Sequence, residues 1–560
     1  MIRDGAAGLV ERTFDTLIVG SGPAGLTLAL DLAKRGLPSL VLESGAEAPG
    51  RAQDLSRAAI VDPRLHDSMD IAVARRLGGT SNLWGGRCMP LDPVDFAPRF
   101  EDARWPIAHE DLARHYEAAG AYATSGEALF AHPNADIAAG GDFDLSSIER
   151  SSNRPAFQKA HGGTLRNSAL IDIRLNLTAV ELMLAESGLV LGCVVATPSG
   201  ERVNVRARRV VLAAGGLETT RLLLAVQRRH PDLFGGPEGA LGRYYMGHVL
   251  GEIADIAFDD ARIEAAFDFW RDGHGSFVRR RIRPSEATIR ARNLPNIAFW
   301  PVVPPIADPR HGSGPLSAVA LALANPAIAR LLVPDAIRKR HLTGPVDWRA
   351  HVKNLVGQAP STVGFLASFV HRRYVSRERI SGYFVKNPAR RYGLSYSAEQ
   401  LPWRQSHVRL GDESDALGLP RLVIDVRFHP DTAAGIARAH DALENWMGGA
   451  RAMKLERRQS REDTLAAIGR QFGHGTHQIG SARMGVSRRD AVVDGNLRSF
   501  DCANLFVLSS ATFPTSGQAN PTLSLVAFAV RLAQTLAMES AHAARTQPRV
   551  YALKRSNSAR

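Results

Sequence analysis

The chain has 560 residues, of which 45% are hydrophobic and 22% charged, with 50 glycines and 31 prolines. This is the balance of a globular protein long enough for more than one domain, and it excludes disordered and collagen-like chains. Three widely spaced cysteines, Cys88, Cys193 and Cys502, form no C-x-x-C motif. They exclude a disulfide scaffold and predict no zinc, iron–sulfur or other metal site.

The formal net charge is +13 and the pI is about 10.1, mostly because of arginines spread along the chain. Short basic runs stand out at residues 279–281, 338–340 and 372–373. No zinc-finger, RNA-binding or basic-zipper pattern accompanies them, so we expect no nucleic-acid partner. The charge indicates a solvated basic surface, with attraction to an anionic membrane surface as the alternative.

The N-terminal segment contains no basic start followed by a long apolar run. No stretch of the chain reaches about 18 uninterrupted apolar residues. We therefore expect no signal peptide and no membrane span, and we predict a cytoplasmic protein.

In chain order, the first elements form a strand–turn–helix–strand unit. Residues 16–19 predict a short strand, residues 24–35 a helix, and residues 40–42 a second strand that ends in Glu43. The sequence GSGPAG at residues 20–25 joins the first strand to the helix. This arrangement is typical of a dinucleotide site, although it does not distinguish FAD from NAD. A glycine-rich turn without a ligand is the alternative.

The glycines and the acid of this unit each have a physical role. Gly20 permits the tight turn, Gly22 lets the backbone approach a pyrophosphate, and Gly25 lets the helix pack closely on the strand. The helix N-terminus offers N–H groups to the phosphates. Glu43 can accept hydrogen bonds from a ribose diol.

Three later segments extend this pattern. The sequence RRLGGTSNLWGG at residues 75–86 predicts either backbone packed against a flat or anionic group or a tight structural turn. Residues 165–225 are rich in strand formers, and VVLAAGG at 210–216 predicts a return of the chain to the same parallel sheet. Residues 250–465 mix strands, helices and proline-rich turns and predict a second domain that caps the first.

Two further segments bear on partners. An apolar stripe runs through residues 351–376 beside basic residues, and such a stripe either faces the core or contacts a membrane or a partner. Residues 545–560 are rich in Arg, Ser and Ala and predict a disordered basic tail.

The C-terminal part carries the most specific motifs. HQIGSARMG at residues 477–485 is followed by VVD at 492–494, NLFV at 504–507 and FPTSGQANPTL at 513–523. With the glycine turn at 20–25, this ordered set resembles the glucose–methanol–choline (GMC) family of FAD-dependent alcohol oxidoreductases. It looks closest to the pyranose-oxidase-like, sugar-oxidising branch.

The resemblance implies an α/β fold with a Rossmann-type FAD-binding domain assembled from discontinuous segments, plus an α+β substrate-binding domain. We assign residues 13–100, 165–250 and 470–542 to the FAD-binding domain. Residues 101–164 and 251–469 are assigned to the substrate-binding or cap region.

The resemblance also implies a catalytic pair. His477 matches the catalytic histidine of the family, and Asn520 matches its second active-site position. A neutral imidazole can take the hydroxyl proton near neutral pH while hydride leaves carbon for flavin N5, and an amide can hold the oxygen in line. His474 in the same loop is the alternative base, and Asn520 before a proline is alternatively a turn residue.

The same resemblance implies the cofactor contacts. Leu83 stands where some relatives attach FAD through a histidine, so we expect non-covalent FAD. Ser509 stands where many relatives have an acid. The predicted cofactor-binding residues are Gly20, Gly22, Gly25, Glu43, Gly79, Thr80, Ser81, Asn82, Ala214, Ser509, Pro521 and Thr522.

The predicted function is FAD-dependent oxidation of a CH–OH group of a sugar, glycoside or polyol. The electron acceptor is oxygen, a quinone or a redox protein, and a peripheral membrane contact is the further partner considered. A non-catalytic flavin-binding or membrane-associated assembly protein and an NAD-dependent dehydrogenase are the alternatives. Asn296, Trp300 and His407 are candidates for cap residues that face the flavin, without a motif to support them.

Overall fold

The computed structural model describes residues 1–132, 141–325, 327–329, 346–371, 384–449, 452–473 and 475–546. The described strands are Ile2–Asp4, Thr13–Val19, Ser39–Leu42, Ala59–Ile60, Arg87–Cys88, Phe143–Asp144, Ile148–Ser151, Ile171–Leu175, Thr178–Leu184, Val190–Ala196, Arg202–Leu212, His248–Phe258, Trp270–Arg271, Phe277–Arg280, Arg283–Pro284, Ile297–Val302, Arg391–Glu399, His407–Ser414, Pro420–Asp425, Met453–Arg457 and Leu505–Val507.

The described α-helices are Pro23–Lys34, Met69–Ala72, Pro93–Phe96, His109–Ala113, Tyr116–Tyr122, Phe157–Ala160, Gly162–Asn167, Gly216–Arg229, Ala261–Ala265, Glu286–Ala291, Gly314–Ala324, Trp348–Gly357, Ala359–Val370, Asp431–Met447, Arg461–Gly469 and Thr522–Thr546. The described 3-10 helices are Arg51–Ser56, Gly79–Asn82, Leu233–Gly235, Pro309–His311 and Ser510–Thr512.

The largest sheet, called the first sheet here, has eight strands with a parallel centre. Ile18 lies beside Val41 on one neighbouring strand and beside Val211 on the other, and all three are fully buried. A parallel sheet is covered on both faces, which explains why its strands are continuous apolar runs in the sequence.

One long strand inside the first sheet pairs with three other strands. The sequence predicted that the chain returns to the sheet at 210–216, and the structure has there the long strand Arg202–Leu212. Its first half pairs antiparallel with Val190–Ala196, and its second half pairs parallel with Leu505–Val507. The chain thus returns to the first sheet a final time near its C-terminus.

The C-terminal helix Thr522–Thr546 packs on the helix Pro23–Lys34 and on Tyr116–Tyr122. By length and composition it is apolar enough to cross a membrane, yet 56% of its most apolar window is buried inside the protein. Its apolar face therefore belongs to the core of the first sheet.

A second sheet of four antiparallel strands lies at the centre of the other core. It is built from Ile297–Val302, Arg391–Glu399, His248–Phe258 and Met453–Arg457 in that order. The helix Asp431–Met447 covers it with residues such as Ile436 and Leu443, which are fully buried.

The packing of residues 101–164 differs from their predicted assignment to the cap. Trp105, Tyr116 and Phe157 lie in the core of the first sheet, whereas Phe143 lies in the core of the second. The segment divides because its short helices cover the C-terminal helix, a contact that no local sequence pattern encodes.

The part of the apolar stripe at 351–376 that the structure describes, residues 351–371, does not face the core along its whole length. Within the described residues, Val356 is 75% exposed and Val363 is 66% exposed. The two helices that carry the stripe, Trp348–Gly357 and Ala359–Val370, are called the apolar helix pair below. Most of the predicted basic tail, like His474, lies outside the described residues.

Candidate active site

A cavity of about 930 Å³ separates the first and second sheets. Strand ends of the first sheet contribute Gly20, Glu43 and Ala214 to one wall. The opposite wall includes Trp300 and Ser397 from the second sheet. Ligands commonly bind in such crevices, beyond the carboxyl ends of parallel strands.

Two glycines of the GSGPAG turn are required by close backbone contacts. Gly20 has a φ of +107°, and a Cβ there would lie 2.5 Å from the carbonyl oxygen of Ala213. A Cβ on Gly25 would lie 2.0 Å from the carbonyl oxygen of Gly20. Gly25 does not line the cavity; it acts by letting the helix approach the turn.

Gly22 is a glycine for a different reason. Its φ of −70° suits any residue, and a Cβ there would meet no protein atom within 4 Å. Gly22 lines the cavity at the N-terminus of the helix Pro23–Lys34. The space left by its missing side chain therefore fits a phosphate group at the helix N-terminus.

Glu43 lies at the end of the strand Ser39–Leu42 and is 5% exposed. Its carboxylate accepts hydrogen bonds from the backbone N–H of Ser21 at 3.2 Å and from that of Gly45 at 2.8 Å. The side-chain hydroxyl of Ser21 also donates to it, at 2.5 Å. These bonds fix an acceptor at the edge of the cavity, where a ribose hydroxyl can donate.

The GGTSN loop closes over the glycine turn. A Cβ on Gly79 would lie 2.9 Å from the Cα of Gly22, so the two backbones are nearly in contact. Gly79, Thr80 and Ser81 line the cavity. Asn82 does not; its amide donates to the carbonyl oxygens of Leu77 and Gly79 at 3.0 and 2.8 Å. These bonds hold the loop in shape, and the cofactor contact of Asn82 stays a prediction.

His477 lines the cavity and is held by a short antiparallel bridge. Met246 and Ile479 exchange backbone hydrogen bonds of 2.9 and 3.0 Å. In this register His248 lies opposite His477, and their Nδ1 atoms are 2.8 Å apart. The sequence analysis missed His248, because the pairing of two segments 229 residues apart leaves no local signal.

The contact with Ser516 bears on the tautomer of His248. Its Nε2 lies 3.2 Å from the carbonyl oxygen of Ser516, which can only accept. This contact favours the tautomer of His248 with a proton on Nε2, in which Nδ1 accepts from Nδ1 of His477.

Asn520 also lines the cavity, at the end of a loop anchored to the second sheet. The hydroxyl of Ser397 donates to the carbonyl oxygen of Gln518 at 3.0 Å. The Gln518 amide donates to Asp92 at 2.8 Å. Pro521 and Thr522 follow in the cavity wall, and so does Ser509, whose hydroxyl accepts from a backbone N–H.

A buried acidic network lies behind this loop. The amide of Asn296 donates to Asp92 at 2.9 Å and to Asp95 at 2.8 Å. Arg99 pairs with Glu399 at 2.6 Å. Burial, together with the carboxylates of Asp92 and Glu399, raises the pKa of Asp95 to about 7.

The structure separates the three weakly supported cap candidates. Trp300 lines the cavity, whereas Asn296 belongs to the acidic network and His407 is not among the lining residues. Trp300 and Val302, two residues apart on the strand Ile297–Val302, both line the cavity, as expected for residues on one face of a strand.

Together, the parallel sheet, the glycine turn and the paired histidines define a dinucleotide-dependent redox enzyme. Residues 13–78 match the FAD-binding domain model, and residues 402–529 match the GMC oxidoreductase model. The chain therefore contains an FAD-binding domain and the C-terminal domain of a GMC oxidoreductase, and it binds FAD.

Two curated relatives span nearly the whole chain. A 2-methyl-1,2-propanediol dehydrogenase from Mycolicibacterium austroafricanum is 23% identical over 92% of this chain and 94% of its own length. A paromamine 6'-oxidase from Streptomyces fradiae is 23% identical over 94% of this chain and 92% of its own.

Solved structures share the fold. A pyridoxine 4-oxidase from Mesorbium loti matches with a TM-score of 0.53 and 17% identity, covering 93% of this chain and 99% of its own. A fungal aryl-alcohol oxidase matches with a TM-score of 0.54 and 16% identity, and the match covers 94% of this chain and 99% of the oxidase.

Proposed function

We propose that His477 and Asn520 carry the FAD-dependent oxidation of a CH–OH group that this enzyme catalyses. The observation that carries the proposal is the His248–His477 contact at 2.8 Å on the wall of the same cavity as the glycine turn. Bound FAD supplies the hydride acceptor. The protein residues position the alcohol and manage its proton.

The proton would be taken by Nε2 of His477. His248 holds His477 in the tautomer with the proton on Nδ1, and Ser516 in turn holds His248. Asn520 can hydrogen-bond the substrate oxygen without competing for its proton, since an amide is not a base at neutral pH. The second sheet covers the reacting atoms, which keeps bulk water away from them.

A sugar, glycoside or polyol is the proposed substrate class. The names of the curated relatives, a propanediol dehydrogenase and a paromamine oxidase, support a polyhydroxylated substrate. A fructose dehydrogenase large subunit from Gluconobacter japonicus adds to this, with 33% identity over 22% of this chain. The pyranose-oxidase-like branch stays a prediction.

Anaerobic addition of sugars, glycosides and simple alcohols to the purified holoenzyme tests the proposal. Bleaching of the oxidised flavin bands by a polyol supports it, and a flavin that none of these alcohols bleaches contradicts it. Re-oxidation by air, by a soluble quinone or by a redox protein then separates the three acceptor classes. Acid precipitation should release FAD into the supernatant, because Leu83 offers no nucleophile to the cofactor.

We also propose a peripheral contact with an anionic membrane through the apolar helix pair. Trp348 is 60% exposed, and Ala359–Val370 contains no charged residue. In the sequence, residues 326–383 hold ten Arg and Lys against three Asp and Glu, which is +7 of the total +13. An apolar helix too short to span a bilayer, in a basic segment, is typical of interfacial binding.

The helix pair packs on Gly314–Ala324, beyond the strand Ile297–Val302. The end of that strand and Val303 line the cavity, so a bound membrane would lie near the cavity wall. We propose a cytoplasmic location, which is consistent with three buried free cysteines and with the anionic inner leaflet.

Vesicle flotation tests the membrane contact. The protein should float with vesicles containing phosphatidylglycerol, and less with pure phosphatidylcholine or at high salt. The double change Val356→Glu and Val363→Glu should abolish flotation. Val486→Glu is the matched control, since Val486 is 81% exposed elsewhere on the surface. Equal flotation of the double variant and the control would contradict the proposal.

A further inference from the structure

A cluster of cations lies in the wall of the cavity around Trp300. The guanidinium groups of Arg87, Arg279 and Arg281 lie 5.4, 5.1 and 5.2 Å from the centre of the Trp300 ring. Arg87, Arg281 and Trp300 line the cavity, and Arg279 lies behind them. The indole face attracts each cation, but it carries no net charge.

Glu149 is the acid shared by these three arginines. Its carboxylate lies 2.6 Å from Arg279, 3.6 Å from Arg87 and 3.8 Å from Arg281. Three positive charges against one negative charge leave an excess of two. Burial alone would raise the pKa of Glu149, but the three guanidinium groups outweigh it and hold the pKa at about 2.

Neighbouring acids do not neutralise the excess positive charge around Trp300, because each of them forms an ion pair with another arginine. Asp92, which also acts on Arg281, is 2.7 Å from Arg283. Asp415, elsewhere in the cavity wall, is 2.8 Å from Arg221.

Other acids in the cavity wall are paired in the same way. Glu218 forms an ion pair with Arg75, and Glu252 lies 3.4 Å from Arg458. The positive excess is therefore local to the surroundings of Trp300.

The buried guanidinium group of Arg281 has few hydrogen-bond acceptors. Its side chain is 2% exposed, and its Nη1 donates to the sulfur of Met89, a weak acceptor. Within the described residues, its Nε has no hydrogen-bond partner. Burial lowers the pKa of Arg281 to about 9. A buried guanidinium with so few acceptors is stabilised when a ligand supplies them.

We propose that Arg87 and Arg281 bind an anionic group of the substrate. The inference rests on the proposed oxidation and narrows its substrate to a sugar or polyol that carries a carboxylate or a phosphate. Guanidinium groups bind both anions through paired N–H donors. One end of the substrate would thus lie at Trp300 and its reacting CH–OH at His477. A polycationic sugar would be repelled.

Equilibrium titration of the oxidised His477→Ala holoenzyme tests this, because loss of the proposed base slows reduction of the flavin while the sugars bind. Glucuronate, glucose 6-phosphate, neutral glucose and cationic glucosamine are added separately, and binding is read from the visible difference spectrum of the flavin. We expect at least one anion to bind about tenfold or more tighter than glucose, and high salt to reduce the preference. The two anions distinguish a carboxylate site from a phosphate site. Glucose binding as tightly as both anions, or no binding by either anion, would overturn the proposal.

Substitutions test whether Arg87 and Arg281 cause the preference for anions over glucose. Arg87 is 40% exposed, so Arg87→Gln should fold and lower the ratio of anion to glucose affinity about tenfold. Arg281→Lys keeps the charge and should keep part of the ratio. Arg57→Gln is the control, because Arg57 is 70% exposed and pairs with Asp54 outside the cavity.

Three outcomes distinguish this proposal from the alternatives. An unchanged affinity ratio in Arg87→Gln, with a shifted flavin midpoint potential, would show that the cluster acts on the flavin and would overturn the anion site. Bleaching by neutral alcohols without any anion preference would leave the oxidation standing and overturn only this inference. A preference for anions without bleaching by any alcohol would overturn the proposed oxidation and leave the anion site standing.

Discussion

The two walls of the cavity differ in how far apart their residues lie in the sequence. On the cofactor wall, the segment from Gly20 to Glu43 contains the tight turn, the helix N-terminus and the acid. On the opposite wall, Trp300 and His477 come from two distant segments, and His248, which does not line the cavity, contacts His477 from a third. The first wall is defined by backbone shape, and the second by which side chains tertiary packing brings together.

The largest expected effect comes from breaking the cofactor wall. Gly22→Val and Gly25→Val should both abolish FAD binding, because a side chain at residue 22 fills the phosphate space and one at residue 25 displaces the turn. Only Gly25→Val should also lower the melting temperature of the apoprotein, since its Cβ would lie 2.0 Å from a carbonyl oxygen. Flavin content and apoprotein melting are the measurements. Retained FAD in Gly22→Val would contradict the assigned role.

On the opposite wall, His477→Ala should have the next largest effect. We expect normal flavin content and a fall of about 10²-fold or more in the anaerobic rate of flavin reduction, because the proton acceptor is lost. Stopped-flow absorbance measures it. His407→Ala is the control, since His407 is not among the cavity-lining residues. If His477→Ala reduced its flavin at the wild-type rate, His477 would not be the base.

His248→Ala should have a smaller effect, because it removes the acceptor for Nδ1 of His477 and not the base itself. We expect flavin reduction to slow by about 10- to 100-fold, with a shifted pH profile. His248→Gln should recover part of the rate, since its amide can accept from His477 and donate to Ser516. An unshifted pH profile in His248→Ala would show that the contact is only structural.

The smallest effect concerns the acidic network that links the two walls. The pKa of Asp95 is raised to about 7 in the folded state, so the folded protein holds a proton that the unfolded chain loses near pH 4. The contribution of Asp95 to the free energy of unfolding is therefore fully present below about pH 4 and is lost as the pH rises toward 7.

Asp95→Asn should remove that dependence. Between pH 5 and 8 the melting temperature of the wild type should fall relative to the variant by about 2–5 °C. Asp70→Asn, at an exposed acid, should follow the wild type. Parallel melting profiles for Asp95→Asn and the wild type would exclude a raised pKa at this position.

Much of the first sheet could be predicted from the sequence. The runs at 16–19 and 40–42 lie within the strands Thr13–Val19 and Ser39–Leu42, and the predicted helix at 24–35 is Pro23–Lys34. Continuous apolar strands and a glycine turn are local signals. They persist because the strand, turn and helix contact one another directly.

The apolar helix pair shows where such local signals stop. Its apolar residues have the spacing of a core helix, yet Val356 and Val363 are exposed. Periodicity reports which residues share a face of a helix, but not what covers that face. The division of residues 101–164 between two cores has the same origin.

The sequence by itself determined the glycine turn, the acid Glu43 that follows the second strand and the two motifs that contain His477 and Asn520. Only the tertiary structure decided that His248 contacts His477, that Asn82 bonds within its own loop, and that Arg87 and Arg281 line the cavity. The reason is physical: backbone turns are fixed by neighbouring residues, whereas side-chain pairs form across strands whose register depends on the whole fold.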